Sequence, residues 1–127
     1  MKKPILIFAF CIFSLALKAQ RFYVEKTDGG YEQPIIDKMV SSDYKLTFKK
    51  DSADYVIMCI TGGSGMGRSK GSIAIINNKS GDLIVKSPET TGQTSLFNGY
   101  ENTRMLSMKK IADKYLLDMV KNVLKKQ

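Results

Sequence analysis

The chain has 127 residues, with 20 Lys and Arg against 12 Asp and Glu for a formal charge of +8, and it contains no histidine and no tryptophan. Without histidine there is no Ser-His-Asp or Cys-His nucleophile pair, no imidazole metal ligand and no side chain that titrates near neutral pH by default. At 43% hydrophobic and 25% charged, the composition is that of a globular protein, and the length suits one domain.

Lys2 and Lys3 precede an apolar run from Pro4 to Leu17, interrupted only by Ser14. This is the charged start and hydrophobic stretch of a secretory signal peptide, too short for a membrane span of about 20 apolar residues. Residues 1–19 are expected to be removed after Ala19. Cys11 follows Phe10 rather than a small residue, so a lipid anchor is not expected. Cleavage takes Lys2, Lys3, Lys18 and Cys11 with it, leaving 108 residues, a charge of +5 and Cys59 as the sole thiol. No internal disulfide is then available, and the exported domain, residues 20–127, must be held by its core. Cys59, inside the apolar run Tyr55 to Ile60, is expected to be buried and inert.

The mature sequence switches period repeatedly. Phe22 and Val24 alternate with Tyr23 and Glu25, a short strand ahead of the Asp28-Gly29-Gly30 turn. Ile35, Ile36, Met39 and Val40 follow at helical spacing, with Pro34 in the first turn. Tyr44, Leu46 and Phe48 alternate with Lys45, Thr47 and Lys49, which predicts a strand with one core face and one basic, solvated face. From Ala53 to Ile60 both alternating sets are apolar, predicting a central strand covered on both sides. Ser72–Ile76 and Leu83–Val85 are two further strands around a turn rich in Asn, Ser and Gly. Ser87–Glu101 reads as a long loop. Met105, Met108, Ile111, Ala112, Tyr115, Leu116, Met119, Val120, Val123 and Leu124 then form one stripe of a closing helix whose other face is lysine-rich. Asn102 or Thr103 can cap its start.

The order is β-α-β-β-β-β-α, without internal repeat. The opening strand-helix-strand favours a parallel pair with a right-handed crossover, and the tight later links favour antiparallel pairing. The expected fold class is α+β: a single two-layer domain with a mixed sheet of about five strands and two helices on one face.

The stretch Asp51-Ser52-Ala53-Asp54-Tyr55-Val56-Ile57, followed by a glycine-rich connection, a strand, the turn Ser80-Gly81-Asp82 into Leu83-Ile84-Val85 and an amphipathic helix, resembles a small αβ envelope domain. The resemblance spans roughly Phe22 to Val123. It is similar to the domain shared by the TolB N-terminus, CsgG and LpoB-type periplasmic proteins. The resemblance implies a non-enzymatic periplasmic domain that binds other proteins, and it carries over no functional residue.

One segment imitates a catalytic motif. Gly62 to Ser69 nearly fits a phosphate-binding loop, but Arg68 stands where lysine should reach the outer phosphates, and a strand follows where a helix should begin. It reads instead as a glycine hairpin loop carrying Arg68 and Lys70. The acidic residues are scattered, with no pair placed for glycoside hydrolysis. No metal, cofactor or nucleic acid is expected. The helix lysines imply at most a weak, screened attraction to anionic surfaces. Leu96, Phe97 and Tyr100 place apolar side chains in a polar loop, where they either cap the core or form a contact. These observations predict an exported, non-catalytic protein of the periplasm or exterior that binds another envelope protein through Arg68, Lys70, Leu96, Phe97 and Tyr100. The alternatives are a periplasmic immunity or inhibitor protein, and then a histidine-independent enzyme. The sequence does not specify an oligomeric state.

Overall fold

In the computed structural model, residues 20–63, 67–94 and 102–125 are described. In chain order these form β1 (Arg21–Val24), α1 (Gln33–Ser41), β2 (Lys45–Leu46), a 3-10 turn (Lys50–Ser52), β3 (Tyr55–Gly63), β4 (Arg68–Asn77), β5 (Leu83–Lys86) and β6 (Thr90–Gln93). A long helix closes the chain, running through α2 (Thr103–Ile111), a π-helical turn (Ala112–Leu116) and α3 (Leu117–Lys125). The strands make one mixed sheet in the order β2-β1-β3-β4-β5, with β6 also on β4. β1 runs parallel to β2 and β3, whereas β3, β4, β5 and β6 are joined antiparallel. This is the expected α+β domain, with both helices packed on one face. Residues 1–19, which the sequence reads as a signal peptide, lie outside the described residues.

The core follows from the strand register. Phe22 lies opposite Tyr55 and Val24 opposite Ile57, and Ile57 in turn faces Ile75, so one sheet face carries a continuous apolar patch. Ile35 and Met39 of α1 and the stripe Met108, Ile111, Ala112, Leu116, Met119, Val120 and Val123 close over it. Each such fully buried large side chain contributes about 1.5–3 kcal/mol of transfer free energy before entropy is subtracted. The rings of Phe22 and Tyr55 stack at 5.3 Å, and Tyr44 meets Phe22 edge-on at 6.3 Å.

Glycine brings the long helix down onto the sheet. A side chain at Gly92 would run into the Thr103 carbonyl oxygen and lie 2.7 Å from the Ser107 nitrogen. One at Gly71 would lie 2.5 Å from Ser107 Oγ and 2.7 Å from Met108 Cε. With both positions bare, α2 rests on β4 and β6, and buried Ser107 donates to the Arg104 carbonyl at 2.8 Å. Asn102, one of the two caps the sequence allowed beside Thr103, accepts from the Arg104 amide at 3.0 Å.

Several expectations are corrected. Ser87–Glu101 is not wholly a loop: Thr90–Gln93 is β6, which continues the line of β5 after a one-residue bulge at Pro88 and Glu89. Pro88 has no N–H and its preceding residue is restricted, so Ser87 bridges the break. Its amide donates to the Ile73 carbonyl at 2.8 Å, and its Oγ accepts from the buried Ile73 amide at 2.9 Å. β2 is only two residues long: the Thr47 amide makes a last bond to the Phe22 carbonyl at 2.9 Å, and Thr47 Oγ1 then accepts from the Lys49 amide as the chain turns away. Phe48, expected in the core, is therefore 88% exposed. Val40, read as part of the apolar helix face, is 59% exposed on the last turn of α1. β3 is central, as expected, but its burial on both faces holds only for Tyr55, Val56 and Ile57 and lapses by Ile60.

Candidate functional site

The residues singled out in the sequence separate in space. Arg68 and Lys70 are exposed on β4, opposite Gln93 and Thr91 of β6, not in a loop. The reason is the hairpin register: Gly62 and Gly63 belong to β3 and pair with Lys70 and Ser69, so both ends of the glycine-rich stretch are ladder. Residues 64–66 are outside the described residues. Arg68, Lys70 and Ser72 alternate with Ser69, Gly71 and Ile73, which places the two cations on the face away from the helices. Leu96, Phe97 and Tyr100 also lie outside the described residues.

A different set converges. β1 ends at Val24 while β3 continues for six more residues, and the chain from Glu25 to Tyr31 swings away. Between them lies an open groove of about 500 Å³, lined by Glu25, Lys26, Tyr31, Cys59, Thr61 and Arg104 among others. The β1–α1 connection is tied by a local network. Thr27 donates through its amide at 3.2 Å and its hydroxyl at 2.7 Å to Glu32 Oε2, while Thr27 Oγ1 accepts from the Tyr31 amide at 2.7 Å. Glu32 is only 9% exposed. Burial alone would raise its carboxyl, but the hydrogen bonds from Thr27 and nearby Lys26 outweigh that and hold it below its ordinary value. Glu25 is bridged to Lys50 at 3.2 Å.

Cys59 points to the helix side of β3. Burial, with the Glu32 charge adding to it, pushes its thiol up to about 12, so it stays protonated and is a poor nucleophile. That agrees with the inert thiol expected from sequence, although Cys59 is half-buried rather than sealed.

Arg104 comes from the first turn of α2 and stacks over the Tyr31 ring, 5.5 Å from its centroid. Among the described residues its guanidinium makes no ion pair. The sequence reading overlooked this pair. A signal was present: a cation in the first turn opposes the helix dipole by about 0.3–1 kcal/mol, so arginine there is out of place electrostatically. Among the described residues, no cluster of three or more His, Cys, Asp and Glu side chains is placed to hold a metal.

A second groove, of about 680 Å³, runs between α1 and the closing helix, past Pro34, Met105 and Ala112. Lys38 and Asp113 bridge across it at 3.7 Å, both partly in solvent, a pair of little energetic weight.

No family model matches the sequence, and no curated protein matches it. Among solved structures, the chain is similar to a PelC dodecamer from Paraburkholderia phytofirmans, with a TM-score of 0.50, 14% identity, and 75% of this chain and 85% of that chain covered. It is also similar to a minor lipoprotein from Acinetobacter baumannii (TM-score 0.49, 12% identity, 82% and 94% covered). A third similar structure is a lipoprotein from Neisseria meningitidis (TM-score 0.44, 10% identity, 86% and 95% covered). At such identities the PelC likeness shows a shared fold and nothing about individual residues. A fold shared with that PelC structure is the extent of the agreement with the resemblance noted from sequence.

Proposed function

We propose that this chain is an exported αβ domain that works by binding another protein of the bacterial envelope, without catalysing a reaction. The observation that carries this reading is the Tyr31–Arg104 pair at the mouth of an open groove. Arginine and tyrosine are the residue types that most often dominate protein interfaces, because they offer a large, stiff contact area with a polar end. The protonated thiol of Cys59 and the carboxylate of Glu32, already hydrogen-bonded to Thr27, fit a binding role better than a reactive one. The signal-like sequence of residues 1–19 and the fold shared with a protein that assembles as a dodecamer support the same reading.

The test is a cross-linking pull-down from the envelope fraction with the full chain and with Arg104→Glu and Tyr31→Ala. A partner recovered by the parent chain and lost with both variants is expected. Recovery of no protein at all overturns the reading. A partner retained by both variants moves the contact away from this groove.

A further inference from the structure

The groove is bounded by a strand edge, and the hydrogen-bond alternation shows which groups that edge presents. Ile73 directs both its amide and its carbonyl toward Ser87, so across the β3–β4 pair Cys59 and Ile73 form a non-hydrogen-bonded couple. The backbone groups of Met58, Ile60 and Gly62 therefore face β4, whereas those of Ile57, Cys59, Thr61 and Gly63 face the other way. Ile57 confirms this, its carbonyl accepting from the Glu25 amide at 2.9 Å. Among the described residues that is the last bond on the side of β1. From Cys59 to Gly63, among the described residues, no strand pairs with this edge. The groove is lined by four consecutive residues, Met58 to Thr61. Consecutive residues point to opposite sheet faces, so the open space lies along the edge itself and not over one face.

We infer that an extended, acidic segment of a partner protein adds to the sheet here, pairing with Cys59, Thr61 and Gly63 in the line that β1 vacates. Strand addition satisfies the open amides and carbonyls with main-chain bonds, and side-chain contacts then provide selectivity. Met58–Gly63 offers about 20 Å of edge at ~3.3 Å per residue, room for a strand of ordinary length. The charges around the groove select the sign. Glu25 is bridged to Lys50 and Glu32 is hydrogen-bonded to Thr27, which leaves Lys26 and Arg104 against Asp28. Arg104, already braced on Tyr31, is placed to take a carboxylate in a charge-assisted, two-pronged hydrogen bond. This inference rests on the protein-binding reading and assigns it a surface.

Two experiments test it. Amide exchange followed by NMR on the free chain should show Cys59 and Thr61 exchanging at least about 100-fold faster than Met58 and Ile60. Slow exchange at Thr61 in the free chain, or protection there that grows with protein concentration and so marks a second copy, overturns the proposal. A random-peptide phage library panned on the purified chain supplies the probe. Peptides carrying Asp or Glu should be enriched and should protect Cys59 and Thr61. Binding should fall about tenfold with Arg104→Gln and be lost with Thr61→Pro, which removes an edge N–H that β4 does not use. Failure to enrich any peptide, or equal binding to Thr61→Pro, overturns the proposal. Where Thr61→Pro misfolds, the exchange pattern of the parent chain decides alone. A natural partner pulled down equally by parent and Thr61→Pro chains sinks the edge while leaving the protein-binding reading intact.

Discussion

Replacing Gly92 by alanine adds a single methyl group at the tightest contact between the closing helix and the sheet. Built on the present backbone, that carbon runs into the Thr103 carbonyl oxygen and reaches 2.7 Å from the Ser107 nitrogen. Both are backbone atoms of one rigid element, so neither can rotate aside. The helix must lift, and lifting it loosens the packing of Met108 and Ile111, both fully buried. Overpacking costs about 1–3 kcal/mol, and a contact against helical backbone belongs at the top of that range. For a domain of this size each kcal/mol moves the melting temperature by about 4–8 °C, so Gly92→Ala is expected to lower it by on the order of 10–20 °C, read by circular dichroism or calorimetry. Gly71→Ala offers the internal control. Its added carbon meets the end of the Ser107 side chain and the mobile methyl of Met108, so its cost is smaller, and Ser107→Ala should relieve part of it. A double-mutant cycle on Gly71 and Ser107 measures that coupling. A melting temperature for Gly92→Ala within about 2 °C of the parent, under 1 kcal/mol for a domain of this size, would refute the claim that the helix rests on this glycine.

The remaining predictions probe single polar contacts. Ser87→Ala removes the partner of the buried Ile73 amide, and an unsatisfied buried donor costs about 1–3 kcal/mol, measurable as a shifted denaturant midpoint without a change in slope. Asn102→Ala deletes the cap of α2, with an expected loss of about 1 kcal/mol by the same measurement. Thr27→Val strips the hydroxyl donor from Glu32 and the acceptor of the Tyr31 amide, while the backbone amide of residue 27 still donates to Glu32. It should destabilise the chain and raise the Glu32 pKa, followed by carboxylate NMR. With Glu32 held below its ordinary value in the fold, its contribution is present at neutral pH and is lost as pH falls through the acid range. The Cys59 thiol works in the opposite direction. Its folded value of about 12 lies above the ordinary 9.0, so the unfolded chain releases a proton first and stability falls as pH rises from 9 toward 12. At pH 8 the native chain should react with a thiol reagent far more slowly than the denatured chain; equal rates would contradict the burial.

Local sequence carried much of the fold because period is a local property. The stripe from Met108 to Val123 has helical spacing whatever it packs on, and the alternation of Phe22 and Val24 needs only one buried face. Pro34 and Asn102 read correctly for the same reason, since helix ends are set by the residues at those ends. The reading failed where pairing between distant segments decides. Thr90-Thr91-Gly92 is a strand because β4 lies beside it, and nothing within those residues announces that neighbour. Phe48 has the alternation of a core residue, yet the short edge strand ends before reaching it.

The candidate site shows the same division. The sequence alone determined what chemistry the chain can lack or hold: no histidine, one thiol beyond the apolar first 19 residues, a surplus of lysine and one glycine-rich hairpin. It pointed to Arg68 and Lys70 because they flank that hairpin. Tertiary structure decided which groups meet. Arg104 is separated by 73 residues from Tyr31 in the chain but stacks on it, because Gly71 and Gly92 let the helix carrying it settle onto the sheet. The open edge of β3 exists because β1 is shorter than the strand it pairs with. A difference in length between two strands becomes a surface only once they lie side by side.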